Sequence, residues 1–169
     1  MDIAVYFQPY DNPQPNKSGS MATIIDGFQG DEFPNWEAAS VCLIGVKEER
    51  KAGANSGCGN GPDVFRKFFY NLQPPDEPVN IADLGNIAPG ATYDDTMFAL
   101  RDVCAELIRK EVIPIIIGGS QDLTYAVYQG FEQAEQTINL VSVDQRLDFG
   151  GRDEEFSSQN YLNQIILHQ

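Results

Sequence analysis

Apolar residues in this chain fall into strand-length runs, separated by stretches in which they recur every three or four positions. Val41-Cys42-Leu43-Ile44-Gly45-Val46 is a near-continuous apolar run of the kind a strand buried on both faces requires. Shorter runs at Ile81-Ala82-Asp83-Leu84, Ile113 to Ile117 and Ile138 to Val143 predict three more strands. Between the first two, Val64, Phe65, Phe68 and Phe69 predict a helix with Pro62 at its first position that stops before Pro74-Pro75. Tyr93, Met97, Leu100, Cys104, Leu107 and Ile108 keep helical spacing up to Lys110 and leave Arg101, Asp102, Glu106 and Arg109 outside. Thr92 and Asp95 open that helix as a capping box, and Arg109 and Lys110 suit the negative end of its dipole. A third helix is expected from Leu123 to about Glu135. Strands alternating with amphipathic helices imply an α/β fold: a mainly parallel sheet joined by right-handed crossovers and covered on both faces, giving three α-β-α layers.

This rhythm starts at residue 41. The preceding stretch, 1–40, reads as an irregular N-terminal segment. It offers a short strand at Asp2 to Phe7, a loop from Gln8 to Ser20 rich in proline and glycine, and Trp36 packed over an edge. Composition then removes several classes of function. The chain has 169 residues, 42% hydrophobic and 21% charged, which suits one globular domain. Its net charge of −14, with only 11 Lys and Arg, argues against nucleic acid and against anionic membrane surfaces. No apolar run has membrane-span length, no secretory signal opens the sequence, and Cys42, Cys58 and Cys104 are widely spaced. A cytoplasmic protein with reduced, packed thiols is the expectation.

In a parallel sheet, sites form at the carboxyl ends of strands. Two such ends carry the informative residues. One reads Gly118-Gly119-Ser120-Gln121-Asp122, a sharp strand-turn-helix corner. The other reads Asp144-Gln145-Arg146-Leu147-Asp148, whose alternate residues would leave one face of an extended segment. Together with the glycine-rich loop Gly57 to Arg66 and the turn Asp83-Leu84-Gly85-Asn86, these resemble the landmarks of arginases, agmatinases and formimidoylglutamases, in the same order. In that family the first strand end reads Gly-Gly-Asp-His and the second Asp-Ala-His-x-Asp. The resemblance covers roughly Val41 to Asp148. It implies that residues 41–169 are the N-terminal part of an arginase-like α/β domain, incomplete because the family's later strands are not in this sequence.

The resemblance also implies a chemistry and its loss. The family holds two manganese ions with two histidines and four aspartates, and a bridging hydroxide attacks a guanidino or imino carbon. Here Gln121 and Arg146 stand at the histidine positions, Asp144 and Asp148 remain as residual metal ligands, and His168 matches neither motif. An amide is a weak ligand, and a guanidinium cannot ligate at all. The expectation is therefore a chain without catalytic residues or resident cofactor, kept for structure, interaction or sensing. Arg146 is read as replacing the metal's charge by pairing with Asp144 and Asp148, against the plainer alternative that it points to solvent. The alternative is an active manganese-dependent hydrolase of linear amidines, with ligands supplied from elsewhere. A nucleotide-binding α/β domain has only the fold pattern behind it. Ser157 falls near a substrate-contacting serine of the family. The expected partners are a second copy of the chain or the rest of a longer parent polypeptide.

Overall fold

The computed structural model describes residues 1–11, 19–151 and 154–167. Its sheet has five strands: β1 (Phe7–Gln8), β2 (Ile25–Gly27), β3 (Val41–Val46), β4 (Ile81–Ile87) and β5 (Ile113–Gly118). The order is β1-β4-β3-β5, with β2 also on β4. All pairings are parallel except β1 with β4. Among the described residues there are four α-helices, α1 (Gly61–Phe69), α2 (Tyr93–Arg109), α3 (Leu123–Gln133) and α4 (Tyr161–Leu167), the first three each following a strand. The chain steps from β3 to β4 in one direction and from β4 back past β3 to β5 in the other. Right-handed crossovers therefore put α1 on one face and α2 on the other, where α2 packs against α3. The three layers are those expected.

The α2 face holds the core. Leu100, Val103, Cys104 and Leu107 lie fully buried against Ile44, Val46 and Leu84. Gly130 of α3 lets the helices approach, because a Cβ there would press on Cys104. The capping box forms as expected. The Asp95 N–H donates to the Thr92 hydroxyl at 3.2 Å, and the Thr92 N–H donates to the Asp95 carboxylate at 2.8 Å. No helix among the described residues is long and apolar enough to cross a membrane.

Three expectations need correction. The segment Ile138 to Val143 is not a strand: it runs without a sheet partner, leaving Val141 and Val143 83% and 96% exposed. Strand-forming residues make a strand only beside an edge, and this segment has none alongside it. The N-terminal strand shrinks to Phe7–Gln8. Residues Ala4–Tyr6 form a 3-10 turn instead, closed by the Tyr6 N–H on the Ile3 carbonyl and by the Ala4 N–H on the Asp2 carboxylate. Helix α1 forms where expected, with Pro62 and Arg66 buried, Phe65 and Phe69 half-buried, and Val64 and Phe68 48% and 72% exposed. Trp36 sits in the main core rather than over an edge. Residues 1–40 hold little regular structure, yet Ile3 and Phe7 are core residues and β1 and β2 extend the sheet. The loop expected from Gln8 to Ser20 lies partly outside the described residues, and His168 lies wholly outside them.

Candidate functional site

The connection leaving β3 crosses one face of the sheet, and the connection leaving β5 crosses the other. A crevice therefore opens between their carboxyl ends, where open α/β sheets bind ligands. Two backbone bonds close the corner after β5: Gly119 N–H to the Val46 carbonyl at 3.1 Å, and Ser120 N–H to the Glu48 carbonyl at 3.0 Å. A side chain at position 119 would collide with that Glu48 carbonyl, so glycine is required there. The corner aims Gln121 outward and Asp122 inward.

Gln121 reaches Asp144 across the crevice, its amide Nε2 donating to Asp144 Oδ2. The second oxygen of Asp144 accepts the Arg146 N–H at 3.0 Å. These bonds, led by the one from Gln121, hold the Asp144 carboxyl below the usual carboxylate range. Asp148 is 9% exposed and sits at a positive φ of 43°, with Oδ2 buried and no hydrogen-bond partner among the described residues. Burial and then the nearby Asp144 charge push its carboxyl upward. The geometry thus brings Gln121, Asp144 and Asp148 to one cavity, together with Asn55, Arg146 and Ser158.

The expected pairing of Arg146 with the two aspartates does not form, and its side chain faces solvent instead. It is exposed and forms no ion pair with Asp144 or Asp148. Ser157 is engaged in its own turn: its N–H donates to Asn160 Oδ1 at 2.8 Å and its hydroxyl accepts from Gln159 N–H at 3.3 Å. Its neighbour Ser158 lines the cavity instead.

Two pairs beneath the crevice escaped the sequence reading. Glu48 is buried at the end of β3, and Arg50 grips it with Nε 2.9 Å from both carboxylate oxygens. Arg50 also donates to the Thr96 hydroxyl at 3.0 Å, tying the loop to α2. Burial alone would raise the Glu48 carboxyl, but the bonds from Arg50 outweigh it and hold it below its ordinary value. The second pair is Tyr93 and Asp122, with the phenol donating at 2.6 Å and the tyrosine pushed well up by burial and by that bond. The position of Glu48 directly after a strand's carboxyl end was the signal that could have found the first pair.

A pair of manganese ions needs anionic or imidazole donors with free acceptor atoms converging on it. Both oxygens of Asp144 are already engaged by N–H donors, and Gln121 presents its amide donor rather than its oxygen to that carboxylate. Among the described residues no three His, Cys, Asp or Glu side chains come together as a metal site.

A sequence model of the Arginase family matches residues 39–167. A formimidoylglutamase of Lysinibacillus sphaericus is 27% identical over 131 residues, covering 75% of this chain and 40% of that protein. Among solved structures, the formimidoylglutamase of Bacillus subtilis superposes with a TM-score of 0.76 at 16% identity, over 92% of this chain and 50% of that one. The Trypanosoma cruzi formiminoglutamase with manganese gives 0.73 at 19% identity, over 87% and 52%. At those identities the two structures speak for the fold alone. The chain spans about half or less of these relatives' own length, from 40% to 52%. The family match over residues 39–167, on a sheet of this order, carries the assignment: the chain belongs to the arginase family.

Proposed function

We propose that this chain is a formimidoylglutamase-like member of its family that no longer performs binuclear manganese hydrolysis and serves as a structural, interaction or sensing domain. The observation that carries this reading is the Gln121–Asp144 hydrogen bond. An ionised carboxylate only accepts, so the amide group facing it must be the NH2. A donor thus occupies the position at which the family resemblance implies an imidazole ligand. Arg146, at the second such position, brings a permanent positive charge to the mouth of the same cavity.

The relatives' activity supports the opposite reading, in which the protein hydrolyses a formimino or guanidino compound with manganese. One experiment separates the two. The purified protein is incubated with excess manganese, dialysed and analysed for metal, then assayed with formiminoglutamate, agmatine and arginine. The expected result is less than one ion per chain and no formamide or urea above background. Gln121→His alone should restore neither, because the Arg146 charge stays. Two firmly held ions, with turnover that a chelator abolishes, would overturn the proposal.

A further inference from the structure

Tyr10, Tyr70, Asp83 and Arg66 form a buried cluster on the β4 side of the sheet, apart from the cavity. The two tyrosine hydroxyls are hydrogen-bonded to each other, and the Tyr70 O–H donates to Asp83 Oδ2 at 3.1 Å. An ionised carboxylate only accepts, so the single Tyr70 proton is committed there and Tyr10 must be the donor to Tyr70. Burial, and then the Asp83 charge, pushes the Tyr10 phenol up to about 12, which keeps that proton in place at neutral pH. Asp83 also accepts from Arg66 through both oxygens and from the Gly85 N–H at 3.0 Å, which fills its four acceptor positions. The donors therefore run one way, from Tyr10 through Tyr70 to Asp83, and the Arg66 guanidinium lies over the Tyr10 ring.

This cluster joins three parts of the chain. Tyr10 comes from the N-terminal segment, and its hydroxyl has room because Gly27 of β2 carries no side chain. The same segment is bonded to the end of α1, by the Met21 N–H on the Leu72 carbonyl at 2.9 Å and the Ala22 N–H on the Tyr70 carbonyl at 3.2 Å. It is bonded to β4 by the Phe28 N–H on the Asp83 carbonyl at 2.9 Å, and it accepts the Ala88 N–H on the Tyr6 carbonyl at 2.8 Å. The other end of α1 reaches the crevice. Gly61 packs there against the Gly118 carbonyl, where a Cβ would clash. The glycine-rich loop leads directly into it, with Gly57 and Gly59 N–H donating to Glu49 at 2.9 and 2.8 Å and Asn55 lining the cavity. Moving the N-terminal segment alone would strand Tyr70, and moving α1 alone would strand Asp83. Partial opening leaves buried polar groups unpartnered, so these parts open together.

We infer that Tyr10 is a positioning residue for the crevice: it latches the N-terminal segment to α1, and through that helix it holds the glycine-rich loop in place. The latch is independent of whether the cavity does chemistry. The test is amide hydrogen exchange at graded urea below the unfolding transition, on the native chain, Tyr10→Phe, Tyr70→Phe and the double variant. The amides followed are Ala22, Phe28, those of α1 from Phe65 to Phe69, and Gly59. β1 and β2 are only two and three residues long, so this set should open more readily than α2. In the native chain it should share one opening equilibrium and one urea slope, smaller than those of Leu100 and Val103. Tyr10→Phe leaves one acceptor unpaired and should speed the whole set, Gly59 included, roughly fivefold. Tyr70→Phe strands the Tyr10 donor and removes a bond from Asp83, so it should speed the set more than roughly tenfold. The double variant should exchange no faster than Tyr70→Phe, because the stranded donor is gone. If Tyr70→Phe does not fold, Tyr10→Phe and the urea series on the native chain decide. Gly59 exchange that ignores the tyrosines, or one global opening shared with α2, overturns the inference.

Discussion

Arg66 shows how far one side chain can dictate its surroundings. Its guanidinium is 2% exposed and donates to both oxygens of Asp83 at 2.8 Å, to Asn86 at 2.8 Å and to the Gly85 carbonyl at 2.9 Å. It also lies 4.1 Å from the centre of the Tyr10 ring. Four of its five N–H donors are engaged, so the desolvation penalty of burying two charges is offset largely by bonds rather than by water. Gly45 leaves the space this needs, since a side chain there would strike Asn86. Arg66→Met should therefore strand the Asp83 carboxylate and lower stability by about 3–5 kcal/mol. Chemical denaturation of the variant measures this, and a loss below about 1 kcal/mol would mean that water reaches Asp83. The sequence disclosed Arg66 and Asp83 as parts of two family landmarks. It did not disclose that they meet, because that contact depends on how β4 lies beside β3.

At the level of elements, what could be read in advance was what local chemistry decides. The α2 helix appeared within a residue of its predicted ends because its cap, periodicity and terminal charges all act within a few positions of one another. Thr92→Ala removes the hydroxyl that accepts the Asp95 N–H and should cost about 1 kcal/mol, read as a lower midpoint in urea. What stayed illegible was non-local. Ile138 to Val143 has strand chemistry but no neighbour, and Val64 and Phe68 of α1 are turned outward. The candidate site divides the same way. Gln121 and Asp144 were legible from motifs, whereas the outward turn of Arg146 and the Glu48–Arg50 grip depend on loops that no periodicity describes.

For the molecule as a whole, the dominant field is its own charge. With 25 acidic residues against 11 basic ones, the compact state repels itself. Salt shortens the range of that repulsion to about 10 Å at 0.1 M. Raising sodium chloride from low to physiological strength should therefore raise the thermal midpoint of the chain. Calorimetry across a salt series tests this. A midpoint that falls with salt would show that paired charges such as Glu48–Arg50 outweigh the net repulsion.

The place of β4 governs the time order of folding. It is the strand on which β1, β2 and β3 all pair, and Asp83 and Asn86 on it hold Arg66 of α1. A polypeptide emerging from the ribosome exposes its first eighty residues before that strand exists. Until Ile87 is available, β1 and β2 have no ladder to join, β3 has none of its β4 bonds, and Arg66 has no anion to neutralise it. The sheet of the N-terminal half can therefore close only once this seven-residue strand is available.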